Sequence, residues 1–125
     1  MYLLDSDVVI NHLLGRASVS GLLDELVDEG PLYTSALTRF EVLQGMRPAE
    51  TFKTFHLLNL LETVDVDLAV ADKAASFYQR YHKERPGIGG IDFMIAATAL
   101  VHDLTLVTLN LKDYPQPEIR VYGRS

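Results

Sequence analysis

The sequence predicts an α/β domain built on a short parallel sheet, and three observations support this prediction. Short apolar runs alternate along the chain with longer segments of helical periodicity. Strands that are separated by helical crossovers pair in parallel, so the sheet is expected to be parallel. The chain has 125 residues, of which 48% are hydrophobic, so one domain is expected over residues 1–125.

The apolar runs that are expected to form strands contain only a few residues each. They are bounded by polar, glycine or proline residues, which is typical of strand ends. The expected strands are residues 2–4, 32–34, 64–66 and 104–108, with a further candidate at residues 119–122.

Three helices are expected in the first part of the chain. The first covers residues 8–14 and is stopped by Gly15. The second lies behind Ser20, whose hydroxyl can accept a hydrogen bond from a free backbone N–H group. The third begins after Ser35 and runs to about residue 46.

Three further helices are expected in the second part. A very apolar one begins after Pro48 and ends near residue 61. The next is capped by Asp67 and ends before Pro86, because a residue that precedes proline avoids helical geometry. The last opens at Asp92 and runs to about residue 101, and it is apolar nearly all round, which indicates burial.

Composition and charge exclude several classes of function. The absence of cysteine excludes disulfides, thiolate zinc sites and cysteine nucleophiles. We expect neither a secretory leader nor a membrane span. We expect a cytoplasmic location. The net charge of −6 argues against a passive nucleic-acid binder, but it is compatible with an enzyme whose acids hold metal ions.

Three aspartates fall at the ends of expected strands or at the start of a helix. Asp5 ends the first strand, Asp92 opens the buried helix, and Asp113 follows the strand at residues 104–108. In a parallel sheet such junctions can converge on one edge, where ligands of these sheets gather. Glu41 differs because it lies inside a helix, where it is expected to face a cleft.

Packed carboxylates point to metal chemistry. They repel one another, and divalent cations remove that penalty. Mg²⁺ and Mn²⁺ prefer oxygen ligands, and phosphodiester hydrolysis is the chemistry best suited to such a site. Taken singly, however, Asp5, Asp67 and Asp92 are also explained as helix N-caps.

Four segments together resemble the PIN-domain family, specifically its VapC-like toxins. They occur in the family's order and extend over almost the whole chain, at residues 4–10, 38–45, 92–99 and 106–114. The resemblance implies a PIN-like three-layer α/β/α fold and cleavage of RNA, such as tRNA or rRNA, with Mg²⁺ or Mn²⁺. It also implies a homodimer and a VapB-like antitoxin that plugs the active site.

The resemblance assigns the site residues. The four metal-binding carboxylates are expected to be Asp5, Glu41, Asp92 and Asp113. Supporting polar groups are expected at Ser6, Asp7, Thr108 and Asn110. Relatives carry the fourth acid at either the Asn110 or the Asp113 position, and we favour Asp113. This chain departs from the common pattern at Leu109, where arginine is frequent, and at Tyr114, where phenylalanine is.

Other readings of the same residues remain open. Asp5 and Asp7 after a strand also resemble the start of an aspartyl-phosphate phosphatase, with Asp5 as nucleophile. A phosphoreceiver domain fits the length, with Asp65 or Asp67 as the acceptor. A catalytically inactive binding module on the same fold is a third alternative. Part of the apolar helix at residues 52–61 is expected to pack against the antitoxin or a second subunit.

Overall fold

The computed structural model describes residues 1–124, and its centre is a parallel sheet. The spatial order of the strands is β3-β2-β1-β4, and every pairing is parallel, as predicted. The strands are β1 (Tyr2–Leu4), β2 (Leu32–Ser35), β3 (Glu62–Val64) and β4 (Thr105–Val107).

Six helices connect and cover these strands in the described part of the chain. Two short 3-10 turns, at Pro48–Glu50 and Leu111–Asp113, precede α4 and follow β4. The helices are α1 (Ser6–Leu13), α2 (Ala17–Val27), α3 (Ala36–Gln44), α4 (Thr51–Leu60), α5 (Leu68–Tyr81) and α6 (Gly90–Val101).

Two predicted helix starts are wrong. Helix α2 begins at Ala17, and the hydroxyl of Ser20 lies 2.9 Å from Nδ1 of His12 instead of capping a helix. Helix α6 begins at Gly90 with Gly89 as its N-cap, so Asp92 is the third residue of the helix. In both cases the helix begins before the residue that was expected to cap it. Tertiary packing determines where a helix starts more strongly than the capping residue does.

Two predicted strands also differ from the structure. Strand β3 covers residues 62–64 instead of 64–66. It is an edge strand that pairs only with β2, so its first two side chains are exposed and carry no apolar signal. Residues 119–122 contribute only a single parallel bridge, between Val121 and Leu106, because a turn after Val121 ends the pairing.

The sheet has a hydrophobic core on each face. Leu4 and Val107 pack with α1 and α2 on one face, where Leu58 of α4 is also buried. Leu3 and Leu106 face the other side, which is covered by α5, α6 and the C-terminal segment. Because neighbouring residues of a strand point to opposite faces, this arrangement confirms the three-layer α/β/α architecture.

The chain reverses its direction of winding between β1 and β4. The segment after β1 leads to β2 on one side, whereas β4 adds to the other side of β1. The carboxyl ends of β1 and β4 therefore border a crevice, which is where parallel α/β sheets bind ligands. Across residues 1–124, no helix is both long and apolar enough to cross a membrane.

Candidate active site

Asp5 lies at the carboxyl end of β1 and is only 5% exposed. Its backbone N–H donates to the carbonyl of Val107 at 3.0 Å, which extends the pairing of β1 with β4 by one residue. Its Oδ1 accepts a hydrogen bond from the backbone N–H of Ser6 at 2.8 Å and so caps α1. Its Oδ2 accepts a hydrogen bond from the hydroxyl of Thr108 at 3.0 Å. Asp5 is thus both a helix cap and a fixed acid in the crevice.

The side chain of Tyr114 connects Asp5 to Asp92. Tyr114 is fully buried, and its hydroxyl donates to Oδ2 of Asp5 at 2.7 Å while lying 3.4 Å from Oδ1 of Asp92. Burial raises the pKa of Tyr114, and the charge of Asp5 raises it further. The hydroxyl therefore stays protonated and acts as a donor. No feature of the local sequence around Tyr114 indicates this role.

The backbone around Tyr114 is held by the end of the described chain. The guanidinium group of Arg124 donates hydrogen bonds to the carbonyl oxygens of Tyr114, Gln116 and Ile119. A half-buried arginine thus ties three carbonyl groups of the C-terminal segment together. This clamp holds the backbone of Tyr114, whose hydroxyl contacts the two carboxylates.

Asp92 lies in the first turn of α6 and faces the crevice. Its Oδ2 accepts a hydrogen bond from the backbone N–H of Gly89 at 3.3 Å, which satisfies a free donor at the helix start. Burial raises the pKa of Asp92 to about 6, and the charges of Asp5, Asp113 and Glu41 contribute to the increase. The charges of all three other predicted metal-binding carboxylates therefore raise the pKa of Asp92.

Glu41 reaches the crevice from the middle of α3. Burial raises the pKa of Glu41, a hydrogen bond with Ser6 opposes the increase, and the charge of Asp5 adds to it. Glu41 also lines a cleft of about 270 Å³, together with Ile10, Gly45 and Arg47 among others. The expectation that this glutamate faces a cleft is confirmed.

Asp113 is the last residue of the 3-10 turn after β4. It is partly exposed and lines a separate cleft of about 290 Å³ that also contains Arg85 and Lys112. Its charge raises the pKa of Asp92, which places the two carboxylates within electrostatic reach of each other. Asp113 is therefore the outer member of the group.

Asp7 contacts the loop that follows β4. Its Oδ2 accepts hydrogen bonds from Nδ2 of Asn110 at 2.8 Å and from the backbone N–H of Leu109 at 3.1 Å, and it lies 3.3 Å from Oγ1 of Thr108. Burial raises the pKa of Asp7 to about 6, with a further contribution from the charge of Asp5. Asp7 thus anchors the loop after β4, and the side chain of Asn110 is directed to this acid.

The donor set is composed of carboxylate oxygens, which suits a hard divalent cation such as Mg²⁺ or Mn²⁺. Across residues 1–124, no group of three or more acidic or histidine side chains is drawn together closely enough to form a complete metal site by itself. Asp5 and Asp92 nevertheless both lie within hydrogen-bond distance of the Tyr114 hydroxyl. Repulsion from the other acids raises the pKa of Asp92. A cation would relieve that repulsion, so the residues present fit such an ion.

The fold and the crevice define the class of this molecule, a small parallel α/β protein with an acidic site at its topological switch point. The chain belongs to the PIN domain family, whose match extends over residues 2–114. This assignment rules out the phosphoreceiver reading. Asp67, one of its candidate acceptors, caps α5 by accepting a hydrogen bond from the backbone N–H of Val70 at 2.9 Å.

Similar proteins are of the VapC type. Ribonuclease VapC10 of Mycobacterium tuberculosis is 37% identical over 118 residues, which cover 94% of this chain and 89% of that protein. Ribonuclease VapC19 of the same organism is 33% identical over 116 residues, which cover 92% and 93%. The crystal structure of VapBC2 from Rickettsia felis, bound to a promoter DNA fragment, superposes with a TM-score of 0.80 at 19% identity and 96% coverage of both chains. That structure supports the PIN-like fold.

Proposed function

We propose that this protein is a divalent-metal-dependent endoribonuclease and the toxin of a toxin–antitoxin pair. Membership of the PIN domain family and similarity to two proteins named ribonucleases support this proposal. The observation that carries it is the pair of carboxylates, Asp5 and Asp92, which share the Tyr114 hydroxyl at the switch point of the sheet. RNA phosphodiesters, including those of tRNA or rRNA, are the proposed substrate.

The four carboxylates Asp5, Glu41, Asp92 and Asp113 would hold Mg²⁺ or Mn²⁺. Such a cation, when bound, would polarise the phosphodiester and lower the pKa of a water molecule, so that hydroxide would be available as the nucleophile. Because the pKa of Asp92 is about 6, this carboxylate is largely ionised at neutral pH and is available as a ligand. No side-chain nucleophile is required for this chemistry.

Other side chains prepare the carboxylates for this role. The hydroxyls of Thr108 and Tyr114 both donate to Oδ2 of Asp5, which leaves this carboxylate no freedom to rotate. Ser6 lowers the pKa of Glu41 against the effect of burial, and Asp7 holds the loop that carries Thr108. Preorganisation of this kind places negative charge before the substrate arrives, so little reorganisation is needed during the reaction.

Cleavage of RNA by purified protein, freed of antitoxin, tests the proposal. Total cellular RNA would be incubated with Mg²⁺, Mn²⁺ or EDTA and with wild type, Asp5→Asn or Asp92→Asn. Asp24→Asn is the matched control, because Asp24 is an exposed aspartate on α2, away from the crevice. We expect discrete products only with metal, in wild type and in the control, and loss of cleavage by at least about 100-fold in the two site variants.

Three outcomes would contradict the proposal. If a folded Asp92→Asn protein still cleaves RNA, the assignment of the active site to Asp92 and its neighbours is wrong. If the folded wild type neither cleaves RNA nor binds Mn²⁺ in a calorimetric titration, the protein is better described as an inactive binding module on the same fold. Phosphoprotein formation at Asp5 would instead favour the phosphatase reading.

We also propose a VapB-like antitoxin partner, a homodimer and a cytoplasmic location. The Rickettsia felis structure is of a VapBC2 complex, which motivates the first. Helix α4 exposes Phe52 and Leu60, which are 83% and 69% exposed, and these are suitable for packing against a partner. Leu58 of the same helix is fully buried in the core, so it belongs to the part of the helix that does not face a partner.

A further inference from the structure

The cleft beside Asp113 has an unusual charge for this acidic molecule. It is formed by Arg85, Gly87, Ile88, Lys112 and Asp113 and has a volume of about 290 Å³. Two cations face one carboxylate there, although the whole chain carries a net charge of −6. A protein of that net charge needs local cations to hold a polyanion.

Several other arginines of the described chain already have a side-chain partner. Arg80 forms an ion pair with Glu118 at 2.9 Å, and Arg120 pairs with Asp103 at 2.8 Å. Arg39 lies over the ring of Phe55. Within residues 1–124, by contrast, neither Arg85 nor Lys112 has a carboxylate within ion-pair distance.

The guanidinium group of Arg85 is oriented by the chain itself. Its Nη1 donates to the backbone carbonyl of Lys112 at 3.2 Å, so the loop between α5 and α6 is connected to the 3-10 turn after β4. Arginine has five N–H donors, and this contact uses one of them. The remaining donors form the planar fork that matches two oxygens of a phosphate group.

Both walls of the cleft continue directly into the candidate active site. The segment with Gly87 and Ile88 leads through Gly89 into α6 and Asp92, and the 3-10 turn ends at Asp113. A phosphate in the cleft would thus lie next to the carboxylates. The cleft at Glu41 also borders the site, but it is less suited to a phosphate, because its single cation, Arg47, is accompanied there by Glu41 and Glu50.

We propose that the Arg85–Lys112 cleft binds a phosphate of the RNA backbone beside the one that is cleaved. This inference rests on the proposed nuclease function and adds the path that the substrate follows out of the acidic crevice. Arg85 supplies a fixed bidentate contact, and Lys112 supplies a mobile point charge. The contacts are to the backbone, so they hold the strand in register without reading its sequence.

Binding of a fluorescein-labelled single-stranded RNA, measured by anisotropy in EDTA, tests the cleft without catalysis. The variants are Lys112→Ala, Arg85→Ala and the double substitution. The control is the double variant Arg16→Ala with Lys53→Ala, which removes one exposed arginine and one exposed lysine outside the cleft. Each neutralised phosphate contributes about 0.7 to the salt slope for a single strand, so the cleft double variant, which loses the one phosphate held there, should have a slope smaller by about 0.7. At 0.1 M salt the same relation predicts binding weaker by about 5-fold.

The outcomes separate this inference from the nuclease proposal. If wild type cleaves RNA but the cleft variant binds with unchanged affinity and salt slope, the cleft is overturned and the nuclease stands. An equal loss in the control variant also overturns it, because the effect would then be one of net charge. Weaker binding in the cleft variant of a protein that never cleaves RNA upholds the cleft and refutes the nuclease. Because the Lys112 side chain is exposed and has no hydrogen bond in the described chain, Lys112→Ala is the variant that folds if Arg85→Ala does not.

Discussion

Replacing Asp92 by asparagine should stabilise the metal-free protein at alkaline pH, because ionisation of the Asp92 carboxyl group destabilises the folded state. Burial and the neighbouring acids raise the pKa of Asp92 from 3.8 to about 6 in the folded state. The folded protein therefore binds more protons than the unfolded chain between these pH values. The associated stability is fully present below pH 3.8 and is lost as the pH rises through 6.

The magnitude follows from the size of the shift. A difference of about 2 pKa units corresponds to about 3 kcal/mol. Asp92 is partly exposed, and solvent screening reduces this figure to about 1 kcal/mol. Asparagine keeps an oxygen that can accept the hydrogen bond from the N–H of Gly89, so the helix start is preserved. We expect the variant to melt about 4 °C above wild type at pH 8 in EDTA, and near wild type at pH 4.

Thermal denaturation in EDTA from pH 4 to 8 measures this difference, with Asp24→Asn as the control for loss of one negative charge. Adding Mn²⁺ at 100 times its dissociation constant should reverse the order, since wild type then gains about 2.7 kcal/mol that the variant lacks. An Asp92→Asn protein that is less stable than wild type at pH 8 without metal would refute the reasoning. A difference that does not change between pH 4 and 8 would refute it as well.

Four further substitutions have definite expected outcomes. Tyr114→Phe removes a buried donor to Asp5 and should lower the free energy of unfolding by about 1.5–3 kcal/mol in urea denaturation; an unchanged value would mean that this hydrogen bond contributes nothing. Leu58→Ala leaves a cavity in the core and should cost about 2–5 kcal/mol by the same assay, and a loss below 1 kcal/mol would contradict its burial. Asp67→Ala removes the cap of α5 and should lower stability by about 1 kcal/mol, whereas Asp67→Asn should not. Phe52→Ser should leave the melting temperature within about 2 °C but weaken antitoxin binding in calorimetry, and full affinity would exclude this part of α4 from the interface.

The parallel sheet and the positions of Asp5 and Asp92 could be predicted because they obey local rules. A short apolar run followed by an acid and a helical pattern identifies a strand-to-helix junction without knowledge of its neighbours. The edge strand β3 was misplaced by two residues because it is covered on one side only, so the side chains that pair carry no apolar signal.

The contacts within the site could not be predicted, because they join residues that are far apart in sequence. The Tyr114 hydroxyl and Asp5 are separated by 109 residues, and Asn110 and Asp7 by 103. Nothing near Tyr114 distinguishes a tyrosine that binds a carboxylate from one that fills a core. The apolar residues of α4 posed a similar problem, since Phe52 and Leu58 look alike in sequence but only Leu58 is buried.

The clamp formed by Arg124 has a consequence for the biosynthesis of the protein. The pairing of β1 with β4 and the contact of Tyr114 with Asp5 both join the beginning of the chain to residues beyond 104. Contacts of such long range form late in folding, because the intervening chain must first be closed into a loop. A nascent chain still attached to the ribosome short of Arg124 therefore lacks an ordered acidic crevice. During synthesis the contacts that order the crevice are therefore completed only after residue 124 has left the ribosome.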